Sequence, residues 1–164
     1  MTIKIVTDSA ADLPPEIISE LDITVVPVYL LFGKQVFRDK VDISEDDLYQ
    51  RLQDDPIHPT TTQPTPKDFS EVYQQLSQKA DNIISIHISG KLSGTYNSAT
   101  QGVKLVESGC PIEVIDSHTV SMALGLVVIV AATMARAGKS RQEILEELKN
   151  IIPFVRILVL FDTL

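Results

Sequence analysis

Hydrophobic and polar positions change their period several times along the chain, and each change marks an element. Ile3 to Thr7 alternates as a strand and runs into the polar segment Asp8-Ser9-Ala10-Ala11-Asp12. Pro14-Pro15 permits a helix start, with a short helix over Glu16 to Leu21. Thr24 to Phe32 is a second apolar run in which Val25, Val26, Val28 and Leu30 favour a single strand. Ser44 before three acids predicts a capped helix over Asp47 to Gln53. Pro56, Pro59 and Pro64 punctuate a loop, after which Thr65-Pro66-Lys67-Asp68 opens a helix with Phe69, Val72, Tyr73 and Leu76 on one face.

The second half repeats the alternation of strand and helix. Ile84, Ile86 and Ile88 alternate with Ser85, His87 and Ser89 in a strand over Asn82 to Ser89. Gly90 to Gly94 is a turn, and Thr95 to Glu107 continues as helix through Tyr96, Ala99, Val103 and Val106. Ile112 to Ile115 is a further short strand, followed by Asp116-Ser117 and a long apolar helix that Gly138 closes as its C′ residue. Ser140-Arg141-Gln142-Glu143 is a capping box for a helix to Asn150, and Phe154 to Phe161 reads as a last strand. The pattern predicts an α/β fold: one domain over residues 1–164, with a mostly parallel sheet covered by helices on both faces. No closing helix or polar tail follows the last strand, which suggests a fragment.

Composition narrows the function classes. The 164 residues carry 14 Lys+Arg against 22 Asp+Glu, a net charge of −8, which argues against nucleic acid and against anionic membrane surfaces. Hydrophobic residues at 44% fit a globular core rather than a disordered chain. Cys110 is the single cysteine, so no internal disulfide or multi-cysteine metal site is expected, and a reducing compartment, the cytoplasm, is the simpler setting. No secretory signal pattern is evident at the start. Residues 119–135 carry no charge, but the span is shorter than the roughly 20 apolar residues a bilayer needs and is read as a buried helix.

Ligands of open parallel sheets sit beyond the carboxyl ends of the strands. Four polar clusters fall there: Asp8-Ser9, the loop Thr60-Thr61-Thr62-Gln63, the turn from Ser89 to Thr95, and Asp116-Ser117. Hydroxyls dominate and Lys91 is the nearest cation, so one carboxylate or phosphate edge suits these clusters better than a polyphosphate. Neither nucleotide glycine motif is present, nor is the esterase elbow around Ser93. His87 and His118 are candidates for a general base, set against the reading of each as a surface or loop histidine. Asp8 and Asp12 read as residues that order the first loop, and Asp116-Ser117 as a turn and helix cap.

The runs Asp8-Ser9-Ala10-Ala11-Asp12-Leu13, Thr61-Thr62-Gln63-Pro64, Leu92 to Ala99 and Ile115-Asp116-Ser117 resemble the DegV family of bacterial fatty-acid-binding proteins. Val41 to Ser44 and Phe161 to Leu164 fit the same pattern, so the resemblance covers essentially the whole chain. It implies a carrier without catalysis of its own. Such a carrier holds a long-chain fatty acid between two domains and presents the carboxylate to a separate fatty acid kinase, which makes an acyl phosphate for phospholipid synthesis. By position, the carboxylate falls to Thr61 and Ser93, with Thr62 where the family usually has serine and the Gly94 amide as a further donor. No cofactor or metal is implied. Members of this family run past position 164 into a C-terminal domain, so residues 1–164 would supply half of the site, ending in the linker. The competing readings are a small-substrate phosphotransferase or a serine hydrolase using Ser93, and a structural or regulatory domain.

Overall fold

The computed structural model describes residues 2–107 and 109–160. Its central layer is a four-stranded, wholly parallel sheet in the order β2-β1-β6-β7, formed by β1 (Ile3–Asp8), β2 (Ile23–Val26), β6 (Asn82–His87) and β7 (Ile112–Asp116). Successive residues of a strand point to opposite faces. Ile5, Ile84 and Ile86 accordingly join one core with Leu124, Val127 and Val128 of α5 (Ser121–Arg136) and Ile144 of α6 (Arg141–Ile151). Val6 and Ile83 join the other, with Phe69 and Tyr73 of α3 (Pro66–Ser77) and Ala99 of α4 (Thr95–Val103). The α/β architecture expected from the pattern is therefore present, with helices on both faces. The apolar stretch after Thr119 is a buried core helix, and no helix among the described residues is long and apolar enough to cross a membrane.

Local chemistry explains the helix ends. Ser44 caps α2 (Glu45–Asp54), Thr65 and Asp68 form a capping box at α3, and Ser140 and Glu143 form another at α6. Gly138 lies just past α5 with φ +77, the left-handed turn that ends helices. Gly125 serves a different need: a Cβ there would meet the Ala11 carbonyl oxygen at 2.6 Å, so only glycine lets α5 lie against the turn after β1.

Four expectations are corrected. The run from Thr24 to Phe32 is two strands in two sheets, β2 and β3 (Tyr29–Phe32). Pro27 has no N–H for the parallel ladder, and the Val28 N–H donates instead to Ser9 Oγ at 3.0 Å, so the chain leaves the first sheet there. The proline-punctuated loop contains β5 (Thr60–Thr62), and Gly33-Lys34 turns β3 back into β4 (Gln35–Arg38). These three strands form an antiparallel sheet in the order β4-β3-β5, with Leu30 opposite Thr61. Helix α4 stops at Val103, where the bonds tighten to Lys104 N–H→Gln101 and Leu105 N–H→Gly102. The last expected strand is absent from residues 155–160, because no described strand lies beside them to complete a ladder; residues 161–164 fall outside the described residues.

Candidate functional site

Strands β1 and β6 end side by side, and the turns that follow them face β5 of the small sheet. Between these parts lies a cavity of about 310 Å³. One wall is Thr61, Thr62 and Gln63 at β5; the facing wall is Ser93, Gly94 and Thr95 at the start of α4. Ala10, Val28, Ile88 and Leu92 add apolar surface. All four residues singled out in the sequence thus meet at one cavity, although some thirty positions separate the two pairs. No charged side chain lines it among the described residues.

The start of α4 supplies hydrogen-bonding capacity. Its N-cap is Gly94 rather than Ser93, and no side chain caps the helix. Ser93 Oγ lies 2.9 Å from Thr95 Oγ1 and accepts the Thr95 N–H at 3.2 Å. First-turn N–H groups of a helix lack internal partners and carry the positive end of its dipole, which favours an anionic group here. A Cβ on Gly94 would come within 2.7 Å of the Gln63 amide nitrogen, so a larger residue there would displace the Gln63 side chain. The cavity can therefore hold a single acidic or polar head through hydroxyls and amides.

Beneath the cavity runs a chain of buried polar groups that the sequence pattern did not reveal. Asp8 Oδ2 lies 2.8 Å from His87 Nδ1, His87 Nε2 lies 2.6 Å from Ser85 Oγ, and Tyr73 donates its hydroxyl to Ser85 Oγ at 2.8 Å. All four residues are fully buried. Burial pushes the Tyr73 hydroxyl well above its ordinary value, which keeps it a donor. His87 is therefore a core residue, not a surface or loop histidine. β6 lies in the interior of a sheet covered on both sides, so both of its faces are buried. An Asp–His–Ser arrangement closed off in this way has no access for a substrate. Ser93, the candidate nucleophile, is paired with Thr95 and not with a histidine.

The fourth polar cluster lies elsewhere. Asp116 accepts the N–H groups of Gly90 at 3.2 Å and His118 at 2.8 Å, making a turn; the N-cap of α5 is Val120. Asp116, exposed His118 and Tyr96 line a second cavity of about 540 Å³ between β7 and α6, away from Ser93. Asp12 stands in a left-handed conformation beside Lys40, consistent with ordering its loop. Among the described residues no group of three or more His, Cys, Asp or Glu could hold a metal ion.

Known proteins share this fold. The family model described as an uncharacterised protein of the DegV family matches residues 2–164. A DegV domain-containing protein of Deinococcus radiodurans is 41% identical over 164 residues, covering all of this chain and 58% of that protein. A solved structure from Thermus thermophilus, described as fatty acid binding of a DegV family protein, is 35% identical with a TM-score of 0.84, over 93% of this chain and 54% of that one. A fatty acid (stearic acid)-binding protein from Eubacterium ventriosum is 33% identical with a TM-score of 0.82, over 91% and 52% of the two chains. The chain spans little more than half the length of each of these relatives. With the family model matched almost end to end and the same fold in solved relatives, the chain belongs to the DegV family.

Proposed function

We propose that this protein is a carrier of long-chain fatty acids whose carboxylate is held at the cavity between β5 and α4, with Thr61 and Ser93 as principal ligands. Thr62 and the Gly94 amide complete the head-group contacts. The observation that carries the reading is the meeting of these four residues on one cavity free of charged side chains. Fatty acid binding in the Thermus thermophilus and Eubacterium ventriosum proteins supports the ligand class.

The energetics divide naturally between tail and head. Each buried methylene contributes roughly 0.8 kcal/mol, so a long acyl chain supplies on the order of 10 kcal/mol. A hydrogen bond to a charged group adds about 1.5–3 kcal/mol. The tail sets affinity and the hydroxyls set orientation. At about 310 Å³ the cavity is at the small end for ligand sites, suited to the head and its first methylenes. Enclosure of the remaining tail falls to the part of the relatives that this chain does not span, a C-terminal domain reached through the segment after α6. Uncharged ligands also leave the carboxylate oxygens nucleophilic. This suits a substrate presented in the cytoplasm to a separate fatty acid kinase for acyl phosphate formation and phospholipid synthesis, with no catalysis by the carrier.

The test is extraction and mass spectrometry of the lipid that co-purifies with the protein at its natural length, repeated on the Thr61→Ala/Ser93→Ala double variant. A stoichiometric fatty acid, depleted in the variant, is expected. A lipid-free natural protein would overturn the carrier reading.

A further inference from the structure

The buried chain of polar groups ends at Asp8. Tyr73 donates to Ser85 Oγ, which lies 2.6 Å from His87 Nε2. Both Asp8 oxygens accept backbone N–H groups, so Asp8 is an acceptor and the Nδ1–H of His87 donates to its Oδ2. Asp8 carries this order to the cavity: its Oδ1 accepts the Ala10 N–H at 3.1 Å and its Oδ2 the Ile88 N–H at 3.1 Å. Ala10 and Ile88 are both wall residues of the cavity that holds Thr61 and Ser93. Among the described residues His87 is the one side chain that donates to Asp8 from within the core, and its ring lies edge-on against Phe69, with centroids 5.0 Å apart.

We propose that His87, with a proton on Nδ1, is a positioning residue for the ligand's acidic head: it orients the Asp8 carboxylate, and Asp8 in turn fixes the backbone of Ala10 and Ile88. The proposal rests on the reading of that cavity as the carboxylate site. A head group held by hydroxyls and helix amides depends on their spacing, since among the described residues no cation lines the cavity to compensate for a misplaced donor. A long apolar tail has no such dependence, so loosening the walls weakens the acid more than an uncharged analogue of the same length.

Three substitutions in the protein at its natural length test this, with hexadecanoic acid and hexadecanol as probes. His87→Phe keeps the bulk of the ring and removes both nitrogens. It is expected to weaken hexadecanoic acid about tenfold while changing hexadecanol by about twofold or less. His87→Asn places an amide donor where Nδ1 stood and should restore preference for the acid; His87→Gln places its polar group at the Ser85 end and should not. A merely structural role predicts equal losses for both probes and no difference between Asn and Gln, and that result would overturn the proposal. Nitrogen-15 NMR of the unsubstituted protein gives a reading independent of whether any variant folds: a protonated Nδ1 is expected, and a bare Nδ1 would refute it. The Thr61→Ala/Ser93→Ala variant separates the two claims. If it retains preference for the acid, the cavity reading fails; if it loses that preference while His87→Phe keeps it, only the role of His87 fails.

Discussion

In the proposed site a carboxylate beside Ser93 meets hydroxyls and helix amides, with no cation among the described lining residues, so removing one donor should cost a single hydrogen bond and not the site. Ser93→Ala alone is expected to weaken hexadecanoic acid about tenfold, measured by titration calorimetry, with little change in melting temperature. An unchanged affinity would remove Ser93 from the head-group contacts. Gly94→Ala should cost more binding than its one methyl suggests, because the new Cβ forces Gln63 away from the cavity wall. The polar core offers a sharper contrast. Tyr73→Phe removes one donor from Ser85 and should cost about 0.5–1.5 kcal/mol in urea unfolding. Ser85→Ala strands both the Tyr73 hydroxyl and His87 Nε2, so it should cost about 1–3 kcal/mol, the penalty for buried unsatisfied groups. Equal costs would mean that Ser85 does not join the two groups energetically. That Thr61, Thr62, Ser93 and Gly94 lie together was legible in the sequence through the family resemblance and their place at strand ends, and they line one cavity. The role of Asp8 in ordering the first loop was also legible, but its buried pairing with His87 was not, because a Ser/His alternation looks the same on a solvated face as on a covered one.

At the scale of elements, helices α2, α3 and α6 were readable from their caps, since Ser44, Thr65 and Ser140 act within three residues of sequence. The small sheet was not. Thr60–Thr62 is a three-residue strand flanked by prolines, and its identity comes from pairing with β3 about thirty residues earlier. A run such as Thr24 to Phe32 gives no sign of where the chain changes sheets except Pro27. Charge at two element ends makes a pH prediction. Lys139 and the Ser140 N–H and hydroxyl hold Glu143 at about 2, below its ordinary 4.5, and Arg38 holds Asp42 at about 2, below 3.8. Both folded values are depressed, so the stabilisation is complete above the ordinary values and lost as pH falls towards 2. Melting temperature should decline as pH falls below about 5, and Glu143→Gln should flatten part of that decline; an unchanged profile would refute the assignment. Gly125→Ala tests the contact of α5 with the turn after β1, with an expected loss of about 1–3 kcal/mol in urea unfolding from overpacking against Ala11.

For the whole molecule, the parallel sheet serves to bring the ends of β1 and β6 together, and the small sheet carries Thr61 across to face α4. The α/β class followed from alternation of apolar runs alone; the second sheet that completes the cavity did not. Residues 157–160 show why a strand pattern is insufficient: Leu158 and Leu160 are 95% and 98% exposed, with no described strand beside them. In our account a fatty acid spans from the Thr61–Ser93 cavity into the part of the relatives that this chain does not cover. The most direct test is a crystal structure of the protein at its natural length with hexadecanoic acid bound. The account predicts carboxylate oxygens within hydrogen-bonding distance of Thr61 Oγ1 and Ser93 Oγ, with the tail leading away from the β5–α4 cavity. A carboxylate seated elsewhere, for example in the cavity between β7 and α6, would contradict it.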